Sequence, residues 1–146
     1  MKIWFDMDGT IADLYNVPNW LESLRAEDAS PYLNARVMLN FSVLARVLNK
    51  VQKAGYEIGI ISWTSKVSSE EYHEAVVAAK TTWLEKHLPS VQWDELAIVH
   101  YGVDKTSFKS SDTDILFDDD IRNREAWGDN AFEPDAIMLV LRELLA

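Results

Sequence analysis

Asp6 and Asp8 stand two residues apart at the end of an apolar run, and Gly9 and Thr10 follow at once. If that run is a strand, alternation sends both carboxylates the same way at its carboxyl end. Carboxylates this close repel each other and stay ionised only with a cation between them. Gly9 permits a sharp turn straight afterwards. This spacing suits a metal ion and a reactive carboxylate held at one strand tip. Three further polar signals follow apolar runs in the same way: Ser62 with Thr64, then Lys105, then Asp118-Asp119-Asp120.

These groups must be positioned by alternating strands and helices. Residues 2–6 read as a buried strand, and residues 56–62 as a second. Leu96 to His100 and Asp114 to Phe117 read as a third and a fourth. Between them, Val37, Phe41, Leu44, Leu48 and Val51 are spaced four, three, four, three, one apolar helix face, and Gly55 stands where its carboxyl cap belongs. Ser68-x-x-Glu71 reads as a capping box. It opens a helix to about His87, with Tyr72, Val76, Ala79 and Trp83 on one face. A short helix is expected over residues 121–127 and a last one from Pro134 to Leu145. Residues 14–36 hold Pro18, Pro31 and an acidic run, with one short helix expected over residues 19–26 and Asn19 as its cap. The pattern predicts an α/β fold, a doubly wound parallel sheet with helices on both faces. In such sheets, ligands bind at the carboxyl ends of the strands. All four polar signals fall there.

The chain has 146 residues, which suits a single domain spanning residues 1–146. Fourteen Lys and Arg against 24 Asp and Glu leave a net charge of -10, which argues against a broad nucleic-acid surface. A small phosphorylated substrate remains compatible, because a divalent cation inverts the local field. The absence of Cys excludes disulfides and thiolate zinc sites. No apolar run reaches membrane-spanning length, and the amino terminus lacks a signal pattern, so no membrane partner and a cytoplasmic location are expected.

The order Asp-x-Asp-Gly-Thr, Ser/Thr, Lys, Asp-Asp resembles that of the haloacid dehalogenase-like superfamily, over essentially the whole chain. The stretches from Lys80 to Leu88 and from Asp104 to Asp119 are similar to the 5'(3')-deoxyribonucleotidases within it. The resemblance implies a Rossmann-like core and a Mg²⁺-dependent phosphomonoesterase working through an aspartyl-phosphate. A nucleoside monophosphate is the expected substrate. Sugar phosphates and phosphorylated nucleic-acid ends are the alternatives. Asp6 is then the nucleophile and Asp8 the general acid and base. Lys105 neutralises charge, and Ser62 binds a phosphate oxygen, with Thr64 as the fallback. Backbone N–H groups after Asp6 (Gly9, Thr10) and after Ser62 (Trp63, Thr64) complete a phosphate cradle. Mg²⁺ is expected on the Asp6 carboxylate, the Asp8 carbonyl and a carboxylate of the last motif. Asp119 is preferred, Asp118 supports it, and Asp120 ranks last.

The sequence departs from that family in three places. The acidic triplet leaves the metal ligand ambiguous. Trp63 follows Ser62 where a small polar residue is usual. The cap is reduced to residues 14–36, too short for a helical bundle. An open site is therefore expected, which calls for a partner subunit such as a homodimer, a large substrate, or loose selectivity. Three other readings compete. A phosphoacceptor receiver carries its acidic pair first, not last. A dehalogenase has no need of Asp8. A non-catalytic phosphate- or metal-binding protein would not need every reactive residue type in place. His73, His87 and His100 show no ligand spacing and are expected at the surface or at strand ends.

Overall fold

Ile3, Trp4 and Phe5 cannot all face one side of a strand, yet all three are buried. The computed structural model, which describes residues 1–66 and 68–146, shows why. The strand β1 (Lys2–Phe5) is the centre of a parallel sheet covered on both faces.

A two-residue strand, β2 (Ala12–Asp13), and a 3-10 turn (Leu14–Asn16) come next. Two short helices follow, α1 (Trp20–Arg25) and α2 (Ser30–Asn34). Then come β3 (Arg36–Val37), α3 (Phe41–Lys53), β4 (Glu57–Trp63), α4 (Glu70–His87) and β5 (Glu95–Val99). A second 3-10 turn (Lys105–Phe108) leads to β6 (Ile115–Phe117), α5 (Ile121–Trp127), β7 (Ala131–Phe132) and α6 (Ile137–Leu145). The main sheet has the order β5-β4-β1-β6-β7, with every pair parallel. This is the α/β architecture expected. The fifth strand, β7, was not among the four strands read from the sequence.

Ile3 and Phe5 point to one face, where α3, α4 and α6 supply Leu44, Leu48, Trp83, Leu84, Ile137 and Leu141. Trp4 points to the other, against Ile61, Ala97, Leu116 and Trp127 of α5. Gly59 of β4 lies beneath Trp4. A Cβ there would sit 2.5 Å from the indole ring, so the strand needs glycine to admit it.

Several boundaries differ from expectation. Val37 continues the periodicity of α3 but belongs to β3, where it pairs with Ala12. The helix starts later because Asn40 caps it, accepting from the Val43 N–H at 3.2 Å. Ser69, not Ser68, caps α4, accepting from the Tyr72 N–H at 3.1 Å. Asn19 does cap α1 by position but offers no side-chain bond, since it sits at φ 61°. The segment between β2 and β3 holds two helices, not one. It is pinned to α4 by Glu27, which accepts from the Ser69 N–H and O–H, both at 2.8 Å, and by the Tyr72 hydroxyl, which donates to the Asp28 carbonyl at 3.2 Å. Among the described residues, no helix is long and apolar enough to cross a membrane.

Candidate active site

The strand tips converge as the sheet rule requires. Asp6 leaves β1 directly, its N–H donating to the Phe117 carbonyl of β6 at 2.9 Å. The chain then turns sharply: the Met7 carbonyl accepts from the N–H groups of Thr10, Ile11 and Ala12, and Gly9 takes φ 80°. Gly9 also lies against the last acidic motif. A Cβ there would collide with the Asp119 carboxylate. Thr10 is buried and ties these strands together. Its hydroxyl donates to Asp6 Oδ2 at 3.1 Å and accepts from the Asp119 N–H at 3.2 Å.

Lys105, 3% exposed, donates to Asp6 Oδ1 at 3.0 Å and to Asp118 Oδ2 at 2.7 Å. Burial works against its charge. The two carboxylates outweigh that and raise its pKa above the ordinary lysine value. Carboxylate oxygens of Asp6, Asp118 and Asp119 lie within 4.8 Å of one another. Asp118 is already tied down: Lys105 and Asn123 donate to one oxygen, and the Asp120 N–H to the other. Asp120 caps α5 and pairs with Arg122 at 2.7 Å. Among the described residues, no lysine or arginine pairs with the Asp119 carboxylate, which lies close to that of Asp6. Desolvation comes first in pushing Asp119 up to about 8, and the Asp6 and Asp118 charges add to it. Burial and Asp6 also raise Asp118, against the pull of Lys105.

This donor set fits a hard divalent cation. Its ligands are all oxygens, it carries excess negative charge at one point, and among the described residues one carboxylate has no cationic partner. Asp119 and Asp6 are the side chains that would hold Mg²⁺, with Asp118 fixed beside them.

Asp8 points elsewhere, toward a second lysine. Lys80 of α4 is 1% exposed and spends all three ammonium protons, on Asp8 Oδ2 at 2.7 Å, Ser62 Oγ at 2.6 Å and the Trp63 carbonyl at 2.7 Å. Burial pushes the Asp8 carboxyl above its ordinary value. Lys80 opposes that push, and Asp6 adds to it. The sequence reading gave Lys80 no role. Its signal was a charge at position 80 within the apolar stripe of Tyr72, Val76, Ala79 and Trp83.

Four groups of the expected phosphate cradle have protein partners in the structure. Ser62 is fully buried and holds Lys80; it does not line the cavity. The Gly9 N–H donates to the Ala12 carbonyl and the Thr10 N–H to the Met7 carbonyl, so both close the turn and are not free for phosphate. The Thr64 N–H donates to the Val99 carbonyl, which extends β4 pairing by one residue. That leaves the Thr64 hydroxyl, on a side chain that lines the cavity. Ser65 lines it too, and its buried hydroxyl has no partner among the described residues. No sequence pattern singled out Ser65.

The cavity has a volume of about 390 Å³. Asp6, Asp8, Lys105 and Asp119 line it, and so do Tyr15, Trp20, Leu24 and Tyr32 from the 14–36 segment. That short segment therefore contributes side chains to the site. Trp63 and Tyr101 line it as well, their rings 4.9 Å apart. The Trp63 indole N–H donates to the Val103 carbonyl at 2.8 Å, and its ring lies 5.1 Å from the Lys105 ammonium. Trp20 meets Tyr15 edge-on at 5.2 Å, so it combines a local contact with a lining role. His73 and His100, treated separately in the sequence, stack at 3.6 Å beside Thr64.

No protein-family model matches the chain, and no curated protein matches it in sequence. Among solved structures, the chain is similar to D,D-heptose 1,7-bisphosphate phosphatase from Burkholderia thailandensis. The match has a TM-score of 0.62 at 12% identity and covers 99% of this chain and 98% of that one. At that identity the likeness is one of fold: from end to end, the parallel α/β architecture is shared with that phosphatase.

Proposed function

We propose that the chain is a Mg²⁺-dependent phosphomonoesterase that works through an aspartyl-phosphate on Asp6. The observation that carries the reading is one constellation. The Asp6 carboxylate is gripped by Lys105 at 3.0 Å and Thr10 at 3.1 Å, within 4.8 Å of the Asp118 and Asp119 carboxylates. Asp8 stands two residues on, its carboxyl pushed up by burial.

In the first step, an Asp6 oxygen attacks phosphorus and the ester P–O bond breaks. Protonated Asp8 gives its proton to the leaving oxygen. In the second, Asp8 takes a proton from water as that water attacks phosphorus, and the bond to Asp6 breaks. Lys105, itself buried, neutralises charge on Asp6 and on the phosphoryl oxygens throughout. The Thr64 hydroxyl meets a phosphoryl oxygen. Mg²⁺ on Asp6 and Asp119 supplies further charge neutralisation and aligns the phosphoryl group.

For the substrate, the similar fold of a heptose bisphosphate phosphatase supports a sugar phosphate better than a nucleotide. The nucleotidase resemblance rested partly on residues 80–88, and packing accounts for much of that stretch. Lys80 serves Asp8, while Trp83, Leu84 and Leu88 are core. The aromatic lining suits the C–H face of a sugar ring as well as a base. Phosphate release from sugar phosphates, nucleoside monophosphates and a 3'-phosphorylated oligonucleotide, with Mg²⁺ and with EDTA, tests both levels. Metal-dependent turnover supports the chemistry, and the highest kcat/KM names the class. A nucleotide as best substrate would return the assignment to nucleotidase.

A further inference from the structure

We infer that His73 is a positioning residue that turns the Thr64 hydroxyl toward the phosphoryl oxygen, an inference that rests on the phosphatase reading above. Thr64 has one group to offer. Its N–H is spent on Val99, and its side chain, 3% exposed, reaches the cavity wall. The hydroxyl carries one proton and two lone pairs. His73 Nδ1 lies 2.7 Å from Thr64 Oγ1. If Thr64 donated to Nδ1, it would present only lone pairs to an anionic oxygen. If Nδ1 carries the proton and donates to Oγ1, the Thr64 proton is left for the phosphoryl group. Binding an anion therefore demands the Nδ1–H tautomer.

The surroundings of His73 hold its ring in place. It stacks on His100 at 3.6 Å with 7° between the planes, and His100 Nε2 lies 3.1 Å from Glu70 Oε2. Glu70 and His73 share one face of α4, three residues apart. The stack fixes the plane of the ring, and the 2.7 Å contact with Thr64 fixes which edge faces the hydroxyl. Glu70, His73 and His100 also each offer a ligand atom within 4.8 Å of the others. Parallel stacking argues against chelation. Imidazole lone pairs lie in the ring plane, so two stacked rings aim theirs side by side instead of at one point, and the His73 Nδ1 is engaged with Thr64. The arrangement orients a hydroxyl.

The test compares His73→Phe, which keeps a flat ring on His100 but has no donor, with His73→Asn, whose amide nitrogen takes the Nδ1 place. Thermal melts confirm that each is folded. For His73→Phe, kcat/KM should fall about tenfold, the worth of one hydrogen bond. The factor should be the same for every ester turned over, since the phosphoryl group is common to all. His73→Asn should recover to within about threefold of wild type. The tautomer is read directly by ¹⁵N NMR of histidine-labelled protein at about pH 8.5, above the ordinary imidazole range. The chain has three His, so the His73→Asn spectrum assigns the signal. A protonated Nδ1 and bare Nε2 are expected, even if His73→Phe does not fold. A proton on Nε2, full activity in His73→Phe, a loss confined to some substrates, or micromolar Zn²⁺ binding lost in His73→Phe would each overturn the inference. Turnover abolished by Asp6→Asn supports the phosphatase reading whatever His73 does. Absence of turnover in wild type sinks that reading, and the tautomer then still decides whether His73 donates to Thr64.

Discussion

Asp119 is the residue whose charge the fold supports least. Desolvation and two neighbouring carboxylates push it up to about 8, while a free aspartate titrates at about 4. Between those values the folded protein holds a proton that the unfolded chain has released. The associated stability is complete below the unfolded value and is lost as pH rises through the folded one. In EDTA, melting temperature should therefore fall from pH 5 to pH 9 more steeply in wild type than in Asp119→Asn. Equal slopes in the two would contradict this account of the carboxylate cluster. Mg²⁺ should flatten the wild-type slope, because the cation removes the repulsion that the proton relieved. At this scale the sequence was readable where chemistry fixes type and spacing: Asp6, Asp8, Lys105 and Asp119 all reach one cavity. It was unreadable where a role depends on what lies behind the side chain. Ser62 and Thr64 look interchangeable as letters, and only the buried Lys80 makes Ser62 a structural ligand.

The turn after β1 and the helix α4 set how those residues meet. Gly9→Ala should be costly twice over, through φ 80° and through the collision of its Cβ with Asp119. Turnover and Mg²⁺ affinity should fall together, measured by phosphate release and by metal titration of the melting temperature. Loss of turnover with unchanged Mg²⁺ affinity would place the damage elsewhere. Lys80→Met leaves Asp8, Ser62 Oγ and the Trp63 carbonyl without their donor. It should destabilise the fold by about 3 kcal/mol in urea unfolding, in keeping with a broken buried pair. Adding Asp8→Asn should return part of that loss, because the uncompensated charge goes with it. Additive effects would mean that the pair is not coupled.

Periodicity revealed α3 and α4 because each buries a regular stripe. The pair β2–β3 and the strand β7 are two residues long each, too short for any period to register. Val37 shows the cost of trusting period alone: it matches the stripe of α3 yet lies in a strand. His73 and His100 come together through the β5–β4–α4 packing, a long-range contact with no trace in local spacing.

On the scale of the whole molecule, a net charge of -10 surrounds a site proposed for an anionic substrate. Long-range repulsion should slow encounter, and the local cations, Lys105 with bound Mg²⁺, must overcome it at short range. Screening shortens from about 30 Å at 0.01 M salt to about 8 Å at 0.15 M. KM for a phosphomonoester should therefore fall over that range with Mg²⁺ saturating. A rise would show that attraction, not repulsion, dominates the approach. The α/β class was legible from alternating apolar runs, and the placing of the site from their carboxyl ends. The substrate was not, because part of the cavity lining comes from residues 14–36, whose two short helices carry no strong period.

The central claim is that Asp6 becomes phosphorylated. The measurement is acid quenching during turnover of a radiolabelled substrate, followed by peptide mapping. The account predicts a hydroxylamine-labile phosphoryl group on the peptide containing Asp6, and neither label nor turnover in Asp6→Asn. Phosphate release from wild type with no label on Asp6, or full turnover by Asp6→Asn, would contradict it.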